Sequence, residues 1–259
     1  MRMRAWRLAA IAAAGVGIVV VAIRPRTTEG MNVVSAARAE PWTTLEPGAE
    51  HATTSEGGLS LELYRFDLRR FRPAVVMASG RDRRQRASDV LHDDVAAVAV
   101  VNGGFFDDHG RSLGLRISAG RVVVPLRPRV DWGVLFFTPS RARIVHSSEF
   151  VASAGIEGAV QVGPRIVVDG VVPGLKPQVA RRTAVALDAG GTTLTLAVAD
   201  EPVDATVLGR RLAAMGFSSA LLLDGGPSTQ LAVKPLGPSP RQIAGAYGVP
   251  DLLALFRRR

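Results

Sequence analysis

Cysteine is absent from all 259 residues, so disulfides, thiolate metal sites and a cysteine nucleophile are excluded. Lysine is almost absent: of 32 basic residues, only Lys176 and Lys234 are not arginine. Aromatic residues make up 5% of the chain. The one dense basic run, Arg81-Asp82-Arg83-Arg84-Gln85-Arg86, has no aromatic side chain within it. A nucleic-acid surface needs a basic stripe, usually with stacking rings, on the folded part of the chain, and none is legible here. The net charge of +9 does not supply one. Arg2, Arg4, Arg7, Arg24 and Arg26, less Glu29, at one end and Arg257–Arg259 at the other leave only +2 for everything between residues 30 and 257. Clustered metal ligands are also missing, since neither His92-Asp93-Asp94 nor Asp107-Asp108-His109 has the spacing of a metal site. No metal and no other cofactor is expected. A nucleophile-elbow serine, which would mark a Ser-His-Asp triad, is not found.

Apolar residues are plentiful at 47%, enough for a sizeable core. The first of them form a targeting element. Leu8–Ile23 is 16 residues without a charge, preceded by three arginines and followed by Arg24-Pro25-Arg26. This charge order favours an N-inside orientation, read as an uncleaved signal-anchor over residues 1–26, with a cleaved signal peptide as the alternative. Membrane contact through this segment, or secretion, is the expected localisation, with the rest of the chain outside the cytoplasm. Residues 27–58, rich in Thr, Glu, Pro, Gly and Ala, read as a linker.

Residues 59–256 read as one domain. Short apolar runs predict strands at Leu61–Phe66, Ala74–Ala78, Val98–Val101, Trp132–Thr138, Arg143–Val145, Arg165–Val168, Thr183–Leu187 and Thr193–Ala199. Ala119-Gly120 is expected to turn a hairpin between Gly114–Ser118 and Arg121–Val124, and Asp188-Ala189-Gly190-Gly191 to turn another. Ser88 is a candidate cap for a short helix running through Ala96. A longer helix is predicted over Val203–Met215, with Val207, Leu208, Leu212 and Met215 as its apolar stripe and Gly216 as its stop. Many strands and few helices give an α+β fold with large mixed or antiparallel β-sheets.

Two of the predicted strands end in the same design. Val98–Val101 runs into Asn102-Gly103-Gly104-Phe105-Phe106-Asp107, and Ala220–Leu223 runs into Asp224-Gly225-Gly226-Pro227-Ser228-Thr229. A polar side chain at a strand end, followed by two residues without a β-carbon, leaves the backbone open to a ligand. One such turn is ordinarily structural; two of matching design suggest two walls of one polar pocket.

These motifs resemble the phosphodiester glycosidase family. Asn102-Gly103-Gly104-Phe105-Phe106 with Leu113-Gly114, then Arg182-Thr183-Ala184-Val185, then Leu223-Asp224-Gly225-Gly226-Pro227-Ser228 follow the family's order. Gln161, Gly163, Pro164 and Arg165 also look like one of its strand starts. Ala186 and Pro227 stand where the family pattern has glycine, and Pro227 stiffens the loop that a sugar or phosphate would approach. The resemblance spans about residues 60–255. It implies hydrolysis of a sugar-1-phosphodiester at the anomeric carbon; for an exported enzyme, cell-envelope or exopolysaccharide material is the expected substrate.

The sequence holds residues suited to that chemistry. Arg182 would offer a phosphodiester a fixed, two-pronged cation. Asp224 would supply the carboxylate near the reacting carbon or the attacking water, with Asp107 as a second carboxylate. Asn102, Thr183 and Ser228 would contact sugar hydroxyls or phosphate oxygens. The amides of Gly103, Gly104, Gly225 and Gly226 would stabilise negative charge. The competing reading of Asp224 is a loop cap, of Arg182 a structural ion pair, and of Asp107 a polar turn. Phe105 and Phe106 read as core more than as a sugar platform. At the level of the whole chain, the alternative is a non-catalytic module that binds glycans or sugar phosphates during polysaccharide assembly.

Overall fold

The computed structural model describes residues 42–55, 59–79, 83–234 and 241–258, all within one unit of the chain. The expected signal-anchor lies outside these residues. Among them, no helix is long and apolar enough to cross a membrane.

Three sheets carry the fold, with strands numbered along the chain. The largest has seven strands in the order β1 (Thr43–Glu46), β2 (Ala49–Thr54), β3 (Leu61–Asp67), β13 (Thr193–Asp204), β12 (Val179–Leu187), β14 (Ser219–Leu222) and β11 (Arg165–Val167). A five-stranded sheet runs β16 (Arg241–Ile243), β15 (Leu231–Val233), β5 (Ala97–Asn102), β17 (Asp251–Arg257) and β4 (Phe71–Met77). A second five-stranded sheet runs β7 (Arg121–Val124), β6 (Arg116–Ser118), β10 (Gly158–Val162), β8 (Gly133–Phe137) and β9 (Ala142–His146). Every pairing within these sheets is antiparallel, which resolves the mixed-or-antiparallel expectation.

The middle stretches of the central strands are buried on both faces. On β13, Leu194, Leu196 and Val198 point into the core shared with β4, β5 and β17. Ala197 and Ala199 point the other way, under helix α2 (Ala205–Ala214). The run at β14 divides likewise, Leu221 and Leu223 to one core and Ala220 and Leu222 to the other. A half-exposed strand would alternate apolar with polar; Leu196–Ala199 and Ala220–Leu223 do not, because both faces are covered there. Helix α1 (Ala87–Asp93) covers the outer face of the sheet that contains β5.

Several local expectations are corrected. The stretch 27–58 is not a linker to its end: Thr43–Glu46 and Ala49–Thr54 form the outer edge of the seven-stranded sheet. Ala49, Ala52 and Thr54 are buried, but they are too small to stand out as a hydrophobic pattern. Ser88 does not cap α1. Asp89 reaches back from inside the first turn to accept from the Arg86 amide at 2.9 Å, so the helix starts at Ala87. Helix α2 begins two residues later than Val203, because β13 runs on to Asp204, whose carboxylate accepts from the Thr206 amide at 2.8 Å. Its buried stripe is Ala205, Leu208, Gly209 and Leu212, and Val207 is exposed. The Asp188 turn is structural as expected: its carboxylate accepts from the Thr193 amide and the Thr192 hydroxyl.

Candidate functional site

The chain leaves β14 by crossing between sheets. The Leu223 amide still donates to Thr183 of β12 at 2.9 Å, while the next amide, that of Asp224, donates to Gly103 at the end of β5 at 3.0 Å. The two Gly-Gly motifs are therefore neighbours. Asn102, fully buried as the last residue of β5, fastens them. Its side-chain nitrogen donates to the Asp224 carbonyl at 2.7 Å and to the Gly103 carbonyl at 3.3 Å. Its side-chain oxygen accepts from the Thr183 hydroxyl at 2.7 Å and the Gln230 amide at 3.2 Å. Both ends of the Asn102 amide are thus occupied by protein groups. The expectation that Asn102 and Thr183 face a ligand is corrected: they hold three strands together beneath the site.

Gly103 and Gly104 receive a similar correction. The Gly103 amide donates to the Asp251 carbonyl at 2.9 Å and the Gly104 amide to the Asp251 carboxylate at 2.9 Å, so neither is free to meet an anion. Asp251 opens β17 and is buried; its other oxygen accepts from the Ser112 hydroxyl at 2.6 Å. The Arg116 guanidinium lies 2.8 Å from the Asp251 carboxylate, both side chains being fully enclosed. Its Nε makes this contact at an angle too poor for a hydrogen bond, while its Nη atoms donate to the carbonyls of Phe105, Leu115 and Gln161. A β-carbon on Gly103 would lie 1.9 Å from the Asp251 Oδ1, and one on Gly104 would lie 2.4 Å from an Arg116 nitrogen. The missing β-carbons make room for a buried ion pair rather than for a ligand. Neither Arg116 nor Asp251 sits in a recognisable sequence motif. The one available signal was a carboxylate at the head of the apolar run Leu252–Phe256, the mirror image of Asp224 at the tail of its own run.

The second motif is the open one. Asp224 is half-buried, and its carboxylate accepts from the Gly225 amide at 2.9 Å and from the Ser228 hydroxyl. Burial pushes its pKa above the ordinary carboxylate value, and the negative charge of Asp251 pushes the same way; Ser228, Gly225 and Arg116 oppose the shift without reversing it. After Gly225 the chain makes a single 3₁₀ turn over Gly226–Ser228. Gly226 has φ +58° with open space around its Cα, and Pro227 sits at the start of the turn, where its missing N–H costs nothing.

Arg182 lies on the other side of Gly225. It is 6% exposed, and its guanidinium donates to the carbonyls of Val203 and Gln178. Among the described residues it makes no ion pair with a carboxylate. A β-carbon on Gly225 would lie 2.9 Å from the Arg181 carbonyl oxygen and 3.7 Å from the Arg182 Nη1, so the glycine lets its backbone pack closely on β12 beside the guanidinium. Burial draws the guanidinium's pKa below its ordinary value, partly offset by Asp204, and it stays charged. Neighbouring Arg181 is a partly exposed partner of Asp200.

Asp107 is not part of this arrangement. Its carboxylate accepts from the amides of His109 and Arg111 and pairs with the Arg111 side chain at 2.7 Å, closing its own loop. Those bonds, led by the Arg111 amide, hold its pKa below the ordinary value, leaving a weak base engaged elsewhere. Phe105 packs on the core and against Trp132, with ring centres 5.1 Å apart, as a core residue should. Gln161, fully buried, is structural: it bonds Leu115, Arg127 and Ser147. Five surface cavities of about 300 to 620 Å³ lie elsewhere, and none is lined by Arg182, Asp224 or Ser228.

Residues 96–256 match the family model described as phosphodiester glycosidase. No curated protein matches the chain in sequence. Solved structures share its fold. The catalytic domain of zebrafish N-acetylglucosamine-1-phosphodiester alpha-N-acetylglucosaminidase, auto-inhibited by its pro-peptide, superposes with a TM-score of 0.63 at 16% identity, covering 85% of this chain and 87% of that one. A protein of Burkholderia pseudomallei described as exported gives 0.56 at 14% identity, covering 80% and 74%. A protein of Synechocystis gives 0.55 at 15% identity, covering 86% and 64%.

Proposed function

Because this chain belongs to the phosphodiester glycosidase family and is an enzyme of that class, we propose that it hydrolyses a sugar-1-phosphodiester at the bond between the anomeric carbon and oxygen. One observation carries the assignment of parts. Gly225 lies between a carboxylate whose pKa is raised and a buried guanidinium that makes no ion pair among the described residues. The phosphodiester carries one negative charge, and Arg182 meets it with a rigid fork whose charge burial strengthens. Arg182 thereby fixes the phosphate and, one bond away, the anomeric carbon.

Asp224 then serves the attacking water. In its ionised form it takes a proton as the water oxygen bonds to the anomeric carbon. The carbon–oxygen bond breaks with its electron pair going to the phosphate, and a free sugar and a phosphomonoester result. The raised pKa makes Asp224 a stronger base than an exposed carboxylate. The leaving phosphate is far less basic than a sugar alkoxide, so the step places little demand on a general acid. Ser228 orients the Asp224 carboxylate through its hydroxyl. The cationic start and uncharged Leu8–Ile23 segment support export, with the domain on the outer side of a membrane and envelope or exopolysaccharide phosphodiesters as substrates.

The test is turnover of a panel of sugar-1-phosphodiesters in oxygen-18 water. Label in the released sugar is the expected result. Label in the phosphate would mean phosphorus–oxygen cleavage, and binding of the panel without turnover would favour a glycan-binding module; either overturns the proposal.

A further inference from the structure

The open end of the β8–β9 hairpin carries three polar residues that the proposed function does not use. Gly133 of β8 faces His146 of β9, and the Ser147 amide extends the ladder by donating to the Trp132 carbonyl at 2.9 Å. That register sets Asp131 opposite Ser148. Side chains alternate along a strand, so Asp131, His146 and Ser148 fall on one face. His146 lies between the other two. Its Nδ1 is 2.6 Å from the Ser148 Oγ, and its Nε2 is 3.2 Å from the Asp131 Oδ1.

The Ser148 backbone amide also donates to His146 Nδ1, at 3.2 Å. An amide N–H can only donate, so in the neutral ring Nδ1 is the bare nitrogen and Nε2 carries the hydrogen, directed at Asp131. The Ser148 hydroxyl then donates to Nδ1. A hydroxyl aimed at the lone pair of an imidazole, whose other nitrogen is held by a carboxylate, is the arrangement that activates serine as a nucleophile. Such a group is recognised by geometry, so it does not need the nucleophile-elbow motif that the sequence lacks. Ser148 is exposed. It and His146 stand at a cavity of about 620 Å³ whose apolar lining is Leu126, Pro128, Val130 and Phe150. Arg129 lines the same cavity, held in the left-handed region at φ +58°, and has no carboxylate partner among the described residues.

We propose that Ser148 and His146, with Asp131 behind them, form a second hydrolytic site, for carboxylic esters whose acyl chain enters this cavity. The Ser148 Oγ bonds to the ester carbonyl carbon as its proton passes to His146 Nδ1. The carbonyl electron pair moves onto oxygen, where the positive charge of Arg129 stabilises it. When that pair returns, the bond to the alcohol oxygen breaks. The alcohol leaves with the proton from Nδ1, and the acyl group stays on Ser148. Water then attacks the acyl carbon and gives a proton to Nδ1; the carboxylic acid departs, and the Ser148 oxygen takes the proton back. Asp131 is a positioning residue: its side chain is 99% exposed, so it orients the ring more than it supplies a strong field. The roles of Arg182 and Asp224 are not needed for this reading.

The test is hydrolysis of para-nitrophenyl acetate and para-nitrophenyl butyrate by the full chain, with diisopropyl fluorophosphate labelling read by mass spectrometry. A burst of para-nitrophenolate approaching the chain concentration and an adduct on Ser148 are expected. The butyrate ester, with two more methylenes for the cavity, should react up to about tenfold faster. Ser148→Ala should remove both burst and adduct at an unchanged melting temperature, because the side chain is exposed. His146→Gln should slow the burst by about 10²-fold. Asp131→Ala should slow it with KM unchanged, and Asp131→Glu should recover it. No burst, a burst that survives Ser148→Ala, or labelling at another residue overturns the second site. Equal rates for the two esters overturn the placing of the acyl chain in the cavity.

Discussion

Asn102 and Asp224, 122 residues apart in the chain, are joined by a 2.7 Å hydrogen bond from the Asn102 side-chain nitrogen to the Asp224 carbonyl. The bond fixes the backbone at Asp224 and leaves its carboxylate to Gly225 and Ser228. Position and chemistry are thus assigned to different atoms of one residue, and substitutions can separate them.

Asp224→Asn keeps volume and the bond from Gly225 but removes charge and basicity. Turnover is expected to fall by about 10²-fold or more. Stability should move the other way. Because burial raises the Asp224 pKa, the folded state binds its proton more tightly than the unfolded one, and ionising the group as pH rises opposes folding. At neutral pH, Asp224→Asn should melt at the same temperature as the parent or higher. A lower melting temperature with normal turnover would make Asp224 a loop cap.

Arg182→Lys retains a charge and loses the planar fork. KM for a phosphodiester is expected to rise more than kcat falls. Steady-state kinetics on the substrate identified by the oxygen-18 panel reads the split, and an unchanged KM would remove Arg182 from the substrate.

Glu62 gives a pH dependence of opposite sign. Burial raises its pKa, but the bond to His51 and the charges of Arg241 and His51 outweigh burial and hold it below the ordinary value. Its contribution is present above the usual carboxylate range and is lost as pH falls through the depressed value. Glu62→Gln should destabilise the protein at neutral pH and flatten the acid side of a stability–pH curve measured by urea unfolding.

A chain starting at Leu59 lacks β1 and β2 and exposes the edge of β3, along with Leu61 and Leu63, which are fully buried. It should aggregate or unfold, whereas a chain starting at Glu40 should fold. Circular dichroism and gel filtration of the two decide it.

The fold was legible where chemistry concentrates in a short window. Asp224-Gly225-Gly226 follows a run of apolar residues, and the Ala119-Gly120 hairpin follows from turn chemistry; both residues have positive φ, at 48° and 74°. What a short window does not carry depends on partners far along the chain. Ala49–Thr54 is a strand only because β3 offers it an edge, and its small side chains carry no period. Arg116 and Asp251 look like surface charges until the fold encloses both, 135 positions apart. Asn102 and Thr183 stand out in the sequence as polar residues on apolar strands, yet their polar atoms face each other. Residue type signalled a special position, while the direction each side chain takes was set by the crossing of sheets.

The 1.9 Å approach of a Gly103 β-carbon to Asp251 changes how a mutational scan of this protein should be interpreted. Gly103→Ala would displace a buried ion pair at a cost of about 3 kcal/mol or more. Gly226→Ala meets only a backbone penalty of about 1 to 2 kcal/mol for its positive φ. The position most intolerant of change would then be the one sealed from substrate, and the more forgiving glycine would be the one beside it. Ranking residues by sensitivity would trace the hidden carboxylate under the site and draw the outline of the active surface one layer too deep.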